Sequence, residues 1–205
     1  MHPNPAFRQA DRDTALALAR DRAFGTLAVA SEGPPLLSHV PVLLSADGTQ
    51  AELHLVRSNP ICRAARQGAP ARLAVTGPDG YVSPDWYGLC PDQVPTWNYL
   101  AVHLTGRLEP MPPESLPDLL ARQSAAYEVR LPKTPWTMNK MQPETRDRLL
   151  RMILPFRLAI DSVESTWKLG QNKPAEARHA AAGAMETGIG SELAALAALM
   201  RGAGD

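Results

Sequence analysis

Hydrophobic and polar positions change period several times along this chain, and each change marks an element. Residues 11–23, DRDTALALARDRA, set leucines at 16 and 18 among alanines with acidic residues near the start, which predicts a short helix. FGTLAVA (24–30) predicts a strand, and EGPP breaks it. LLSHVPVLL (36–44) predicts a strand whose Pro41 places it at a sheet edge or a bulge. ADGT then carries the Asp-Gly pair of a hairpin, and AELHLV (51–56) returns with Leu53 and Leu55 on one face and Glu52 and His54 on the other. NPICRAARQG (59–68) predicts a short helix with Pro60 in its first turn and Gly68 as its stop. ARLAVTG predicts a strand, PDG a turn and YVS a further strand.

A long strand is expected from about Thr96 to Leu108, followed by helices over 113–129 and 143–153. The last strand is expected over 156–167, where Leu158, Ile160 and Val163 shift phase after 160 and so predict a bulge. Residues 175–201 are alanine-rich and helical, interrupted by GIG at 188–190. Six or seven antiparallel strands with inserted helices predict a closed or partly closed barrel, not a parallel doubly wound sheet.

Composition narrows this picture. A chain of 205 residues suits one domain, or one domain with a helical appendage. With 44% hydrophobic and 20% charged residues, bulk disorder is excluded. No apolar run is long enough to span a membrane, and MHPNPAFRQADRD has no apolar segment of the secretory kind. The two cysteines, Cys62 and Cys90, have no metal-like spacing, so a cytoplasmic setting is expected. Net charge is zero, which argues against a nucleic-acid coat. Residues 130–178, however, hold 10 Lys/Arg against 5 Asp/Glu, a block that either meets a phosphate, nucleic acid or acidic partner or forms a solvated face.

Four features bear on chemistry. YVSPDWYG (81–88) and VPTWNYLAVHL (94–104) gather two of the four tryptophans and three of the four tyrosines, as either packed strand or the wall of a site for a flat ligand. His39, His54 and His103 sit on three strands without an accompanying carboxylate or thiol; backbone-bonded histidines account for each, and no metal site is expected. In HLVRSNP, Arg57, Ser58 and Asn59 precede a helix start, and they either cradle a phosphate or merely cap the helix. TWKLGQNKP (166–174) brings a stacking face, two cations and two amides together, or is a strand end passing into a polar loop. No phosphate loop, nucleophile elbow, paired-carboxylate motif or helix-turn-helix occurs, so no catalytic residue is assigned.

YVSPDWYG, VPTWNYLAVHLTGRL and WKLGQNKP, in this order and spacing, resemble the signatures of the PaiB-type proteins, a family of FMN-binding negative transcriptional regulators. HLVRSNP resembles that family's strand-to-helix segment, and the resemblance runs from about Phe7 to Lys173. It implies an antiparallel FMN-binding split barrel with peripheral helices over 1–173, followed by an alanine-rich helical extension over 174–205. It also implies a homodimer, with the strand at 96–108 as candidate flank, and FMN at the subunit interface. The cofactor-binding residues it implies are Arg57, Ser58 and Asn59 for the phosphate, and Trp97, Asn98, Tyr99, His103, Lys168, Gln171 and Asn172 for the cleft. One departure stands out: the family commonly carries Ser where this chain has Gly170. Three functions follow as expectations. The first is a flavin-binding negative regulator without chemistry of its own. The second is an FMN-dependent split-barrel oxidoreductase, in which the cofactor supplies the chemistry. The third is a haem-handling protein with a strand histidine as axial ligand. DNA stays open as a partner through the basic block, although zero net charge speaks against direct binding; no membrane partner is expected.

Overall fold

The computed structural model describes residues 1–90 and 92–203. Its strands are β1 (Phe24–Val29), β2 (Leu36–Pro41), β3 (Leu43–Leu44), β4 (Gln50–Val56), β5 (Ala69–Val82), β6 (Thr96–Pro110), β7 (Ile153–Lys168) and β8 (Gly190–Ser191). Its helices are α1 (Arg12–Arg22), α2 (Pro60–Ala64), α3 (Leu116–Glu128), α4 (Pro143–Leu150), α5 (Ala175–Met185) and α6 (Leu193–Gly202). The strands form one sheet in the order β2-β1-β5-β6-β7-β4-β3, with β8 paired to β5. β1 pairs antiparallel with β2 and β5, as does β4 with β3 and β7. This is the expected class, mixed α+β built on an antiparallel split-barrel sheet. Pro41 lies on β2, an end strand of that order, where its missing N–H costs no ladder bond.

Two local expectations need correction. The strand expected over 36–44 is divided at Val42, whose N–H donates to Ala23 O at 2.9 Å. The PDG turn is absent, since Ala69–Val82 is one continuous strand. Burial alternates on odd positions up to Val75 and on even positions from Pro78, so one residue is gained at 76–77, as in a bulge. The glycines there serve close approach. A Cβ on Gly77 would lie 2.8 Å from Leu100 Cβ, and one on Gly80 would lie 2.9 Å from Leu193 Cδ2. β7 breaks its alternation as expected, with Asp161 and Ser162 both exposed.

The chain divides into two compact units. One comprises Ala19–Val75 and Leu104–Val163. Its buried side chains include Leu27, Leu53, Ile61, Leu73, Leu104, Leu119, Phe156 and Leu158. Here Arg122 of α3 pairs with Glu52 of β4 at 2.5 Å and with Asp118 at 2.7 Å. The Tyr127 hydroxyl donates to Val42 O at 3.0 Å.

The other unit comprises Met1–Leu18, Thr76–His103 and Glu164–Asp205. Its core joins Val82, Tyr87, Leu100 and Leu169 to Ala177, Ala181, Ala182 and Met185 of α5 and Leu196, Ala197 and Met200 of α6. Alanines on one helix face let a second helix approach closely, and apolar burial then stabilises the pair. The buried Arg178 closes it by donating from Nε to Met200 O at 2.7 Å. Among the described residues no helix is long and apolar enough to cross a membrane.

Candidate functional site

Within this second unit the start of β6, the end of β7 and the N-terminal residues enclose a cavity of about 220 Å³. It is lined by His2, Asn4, Phe7, Tyr87, Gln93, Val94, Thr96, Asn98, Lys168, Gly170, Asn172 and Lys173. Asn98 reaches it because β6 alternates. Asn98, Leu100 and Val102 turn inward and are buried, while Trp97, Tyr99, Ala101 and His103 share the opposite face. Lys168 is the last residue of β7, and its Nζ donates to Thr96 Oγ1. Lys173 Nζ donates to Gln93 Oε1. Each ammonium also stands over a ring, Lys168 at 5.9 Å from the Phe7 centroid and Lys173 at 5.4 Å from that of Tyr87.

The turn after β7 needs a left-handed residue. Gly170 has φ of 76°, a value that glycine adopts without the Cβ clash met by other residues. Its N- and C-terminal neighbours are held locally. Gln171 Oε1 accepts from Leu169 N at 2.8 Å, its Nε2 donates to Trp167 O at 2.6 Å and to Ala6 O at 3.0 Å, and Lys173 N donates to Gly170 O at 2.9 Å.

Electrostatically the cavity has one sign. Among the described residues it has two ammonium groups and no carboxylate in its wall. Burial lowers the Lys168 pKa from its ordinary value, because the charged form loses water. His2 is also lowered, by burial first, then by Lys168 and the terminal ammonium. Burial raises the Tyr87 hydroxyl, and a hydrogen bond with Asn98 pulls it back. Amides, a hydroxyl and two cations facing one space make a donor-rich site suited to an acceptor-rich anion.

The residues named from sequence fall into three groups. Asn98, Lys168 and Asn172 come together in the cavity wall. Gln171 does not line it, because its side-chain amide turns to the main chain at Leu169, Trp167 and Ala6. Trp97, Tyr99 and His103 lie across the strand from Asn98, so the aromatic run presents two faces instead of one, with Trp97 45% exposed.

Arg57, Ser58 and Asn59 belong to the other unit. There Asn59 caps α2, accepting from Ile61 N at 2.9 Å, and its amide donates to Ser38 Oγ at 3.1 Å. Arg57 Nε donates to Arg151 O at 3.0 Å, and Ser58 is exposed. Of the strand histidines, His39 Nδ1 lies 3.0 Å from Thr26 Oγ1, and burial lowers the His54 pKa from its ordinary value. No group of residues suited to holding a metal occurs among the described residues.

Sequence reasoning passed over Thr96, Gln93 and Lys173 as individual site residues. Lys173 had a signal, since it closes the run TWKLGQNKP. His2 and Asn4 had none, because nothing local ties residue 2 to residue 166, whose Oγ1 accepts from His2 N at 3.1 Å.

Comparison with known proteins agrees with this architecture. The family model described as "Putative FMN-binding domain" matches residues 1–162. The chain is 26% identical over 156 residues to "Protease synthase and sporulation protein PAI 2" of Bacillus subtilis (strain 168), covering 75% of this chain and 74% of that protein. Among solved structures it is similar to the FAD and heme binding protein from Mycobacterium smegmatis, with a TM-score of 0.57, 20% identity and coverage of 80% and 74% of the two chains. It is also similar to the flavocytochrome Anf3 from Azotobacter vinelandii, with a TM-score of 0.58, 15% identity and coverage of 82% and 72%. The conserved hypothetical protein Rv2991 from Mycobacterium tuberculosis has a TM-score of 0.57 at 14% identity, with coverage of 85% and 94%. At these identities the structures speak to the fold.

Proposed function

The chain belongs to the PaiB-type family described as "Putative FMN-binding domain", and on that premise we propose that it is a flavin-binding regulatory protein acting as a homodimer. The observation that carries the proposal is the outer face of β6. There Trp97, Tyr99 and His103 share the face opposite the buried Asn98, Leu100 and Val102, with Trp97 45% exposed and Tyr99 and His103 partly buried. An aromatic row that Trp97 opens to solvent matches the face of a flat ring system, and the same row suits a twofold mate. Two flavin-named structural neighbours support the fold's capacity for such a ligand.

The donor chemistry fits flavin in part. Trp97 and Tyr99 would cover the ring, which when bound would supply hydride- and electron-transfer chemistry. Of the proposed phosphate partners, Arg57 donates through Nε to Arg151 O, Asn59 caps α2 and donates to Ser38 Oγ, and Ser58 is exposed, so a phosphate there would meet the rest of the Arg57 guanidinium and the Ser58 hydroxyl. The regulatory role rests on the resemblance and on the relative named for protease synthesis and sporulation.

The visible spectrum of the protein purified without added cofactor tests this proposal, together with its sedimentation. Flavin absorbance, or its acquisition on adding FMN, with a species of twice the 22.2 kDa chain mass, is expected. A Soret band in place of flavin absorbance would transfer the proposal to haem, and a monomer that takes up neither chromophore would overturn it.

A further inference from the structure

We propose that the cavity formed by Lys168, Lys173, Asn98 and Asn172 binds the phosphate group of a small ligand. This goes beyond the flavin reading in assigning a site to a segment of the chain that the aromatic face of β6 does not include. The site is built, not incidental. Lys168 ends β7, Asn98 is 1% exposed at the start of β6, and Gly170 holds a left-handed turn that brings Asn172 and Lys173 to the same wall.

Charge selects the ligand. Two cations face a space whose described wall contains no carboxylate. An ammonium has three donors, and each of these two donates to a neutral oxygen, that of Thr96 or of Gln93. A partly buried cation without a counter-charge is costly, and a bound anion offsets that cost. A phosphate carries close to two negative charges at neutral pH and several acceptor oxygens, which matches two ammonium groups beside the Asn172 amide, while the Asn98 amide, donating to Met200 Sδ at 3.4 Å, fixes the cavity wall.

Size limits what comes with the phosphate. At about 220 Å³ the cavity lies below the roughly 300–1,000 Å³ of sites that enclose a drug-sized ligand. It therefore holds the phosphate and a short attached arm, and any flat ring system must lie outside it. The phosphate arrives either on a small ester or free, or as the terminal group of FMN. The chemistry recognised is the same.

Titration of the full-length protein with inorganic phosphate, followed by calorimetry and phosphorus NMR, tests the assignment. The wild type should bind phosphate saturably. Lys168→Met and Lys173→Met should each weaken it by about tenfold to a hundredfold, the usual loss for a charge-assisted hydrogen bond. Lys168→Arg, which keeps the charge, should restore part of the affinity, and Lys140→Met, outside the cavity, should leave it unchanged. Circular dichroism melts of each variant separate loss of binding from loss of fold. No phosphate binding by the wild type, or binding indifferent to both methionine variants while they remain folded, overturns the proposal.

Competition identifies the source. Displacement of phosphate by FMN and not by riboflavin marks the flavin's own phosphate as occupant. Phosphate that stays bound beside FMN marks a separate ester; both results support a phosphate site. Phosphate binding by a protein that takes no flavin sinks the flavin proposal and leaves this one standing. Flavin binding without phosphate binding does the reverse.

Discussion

Leu196→Ala probes whether the C-terminal helices are part of the body that carries the cavity. Leu196 is completely buried, in a cluster with Val82 of β5, Leu100 of β6, Tyr87 of the turn between them and Ala177, Ala181, Ala182 and Ala197 of α5 and α6. Truncating a buried leucine costs about 2–5 kcal/mol, the upper part of the range applying where neighbours cannot move into the gap. Alanine methyls have no rotamer that could swing into the gap, and on β5 a Cβ at Gly80 would already lie 3.2 Å from Leu196 Cδ2. About 3–5 kcal/mol is therefore expected, which for a chain of this size lowers Tm by about 6–20 °C at roughly 2–4 °C per kcal/mol. Urea melts and calorimetry measure both quantities. Leu199→Ala, at a position 37% exposed on the same helix, is the control and should cost less than about 1 kcal/mol. If Leu196→Ala also costs under 1 kcal/mol, the helices pack only loosely and the core described above is wrong.

Other outcomes follow from particular contacts. Gly170→Ala (φ 76°) and Gly88→Ala (φ 61°) should each cost about 1–2 kcal/mol in denaturant melts, because both force alanine into left-handed backbone. Asn59→Ala should cost about 1 kcal/mol through the lost α2 cap and leave FMN affinity unchanged; a selective loss of FMN over riboflavin would restore the phosphate role to that segment. Burial holds His54 below its ordinary 6.5, with a Gln123 hydrogen bond opposing it. The unfolded chain then takes up this proton first, so stability is full above about pH 6.5 and falls below it, and His54→Gln should flatten that acid limb. Phosphate affinity should decline on the alkaline side below 10.5, since burial lowers Lys168 and only the ammonium attracts the anion.

The fold was legible wherever alternation alone decides a strand. AELHLV and the long strand from Thr96 sort their side chains as the two-residue period requires. Pro-Asp-Gly misled because turn composition and close backbone approach use the same residues. Gly77 and Gly80 are there to let Leu100 and the α6 leucines approach β5, and β8 pairs across Asp79 and Gly80. The candidate site was half legible. Lys168 and Asn172 stood in a run dense in donors, and Asn98 in an aromatic one. The run alone does not tell which amide turns back to the main chain, as Gln171 does. Nor does RSNP tell a cap from a cradle, because both need the same oxygen beside the same N–H groups; here Asn59 caps. His2 reaches the cavity from the far end of the chain, a contact that no local pattern encodes.

The central claim, flavin on the aromatic face of β6, is tested most directly by titrating flavin-free protein with FMN and following the flavin and tryptophan fluorescence, for the wild type and Trp97→Ala. Loss of one stacking partner is worth about 0.5–1.5 kcal/mol, so the account predicts saturable binding that weakens about two- to tenfold in the variant. Failure of the wild type to bind FMN, or equal affinity in both proteins, would contradict it.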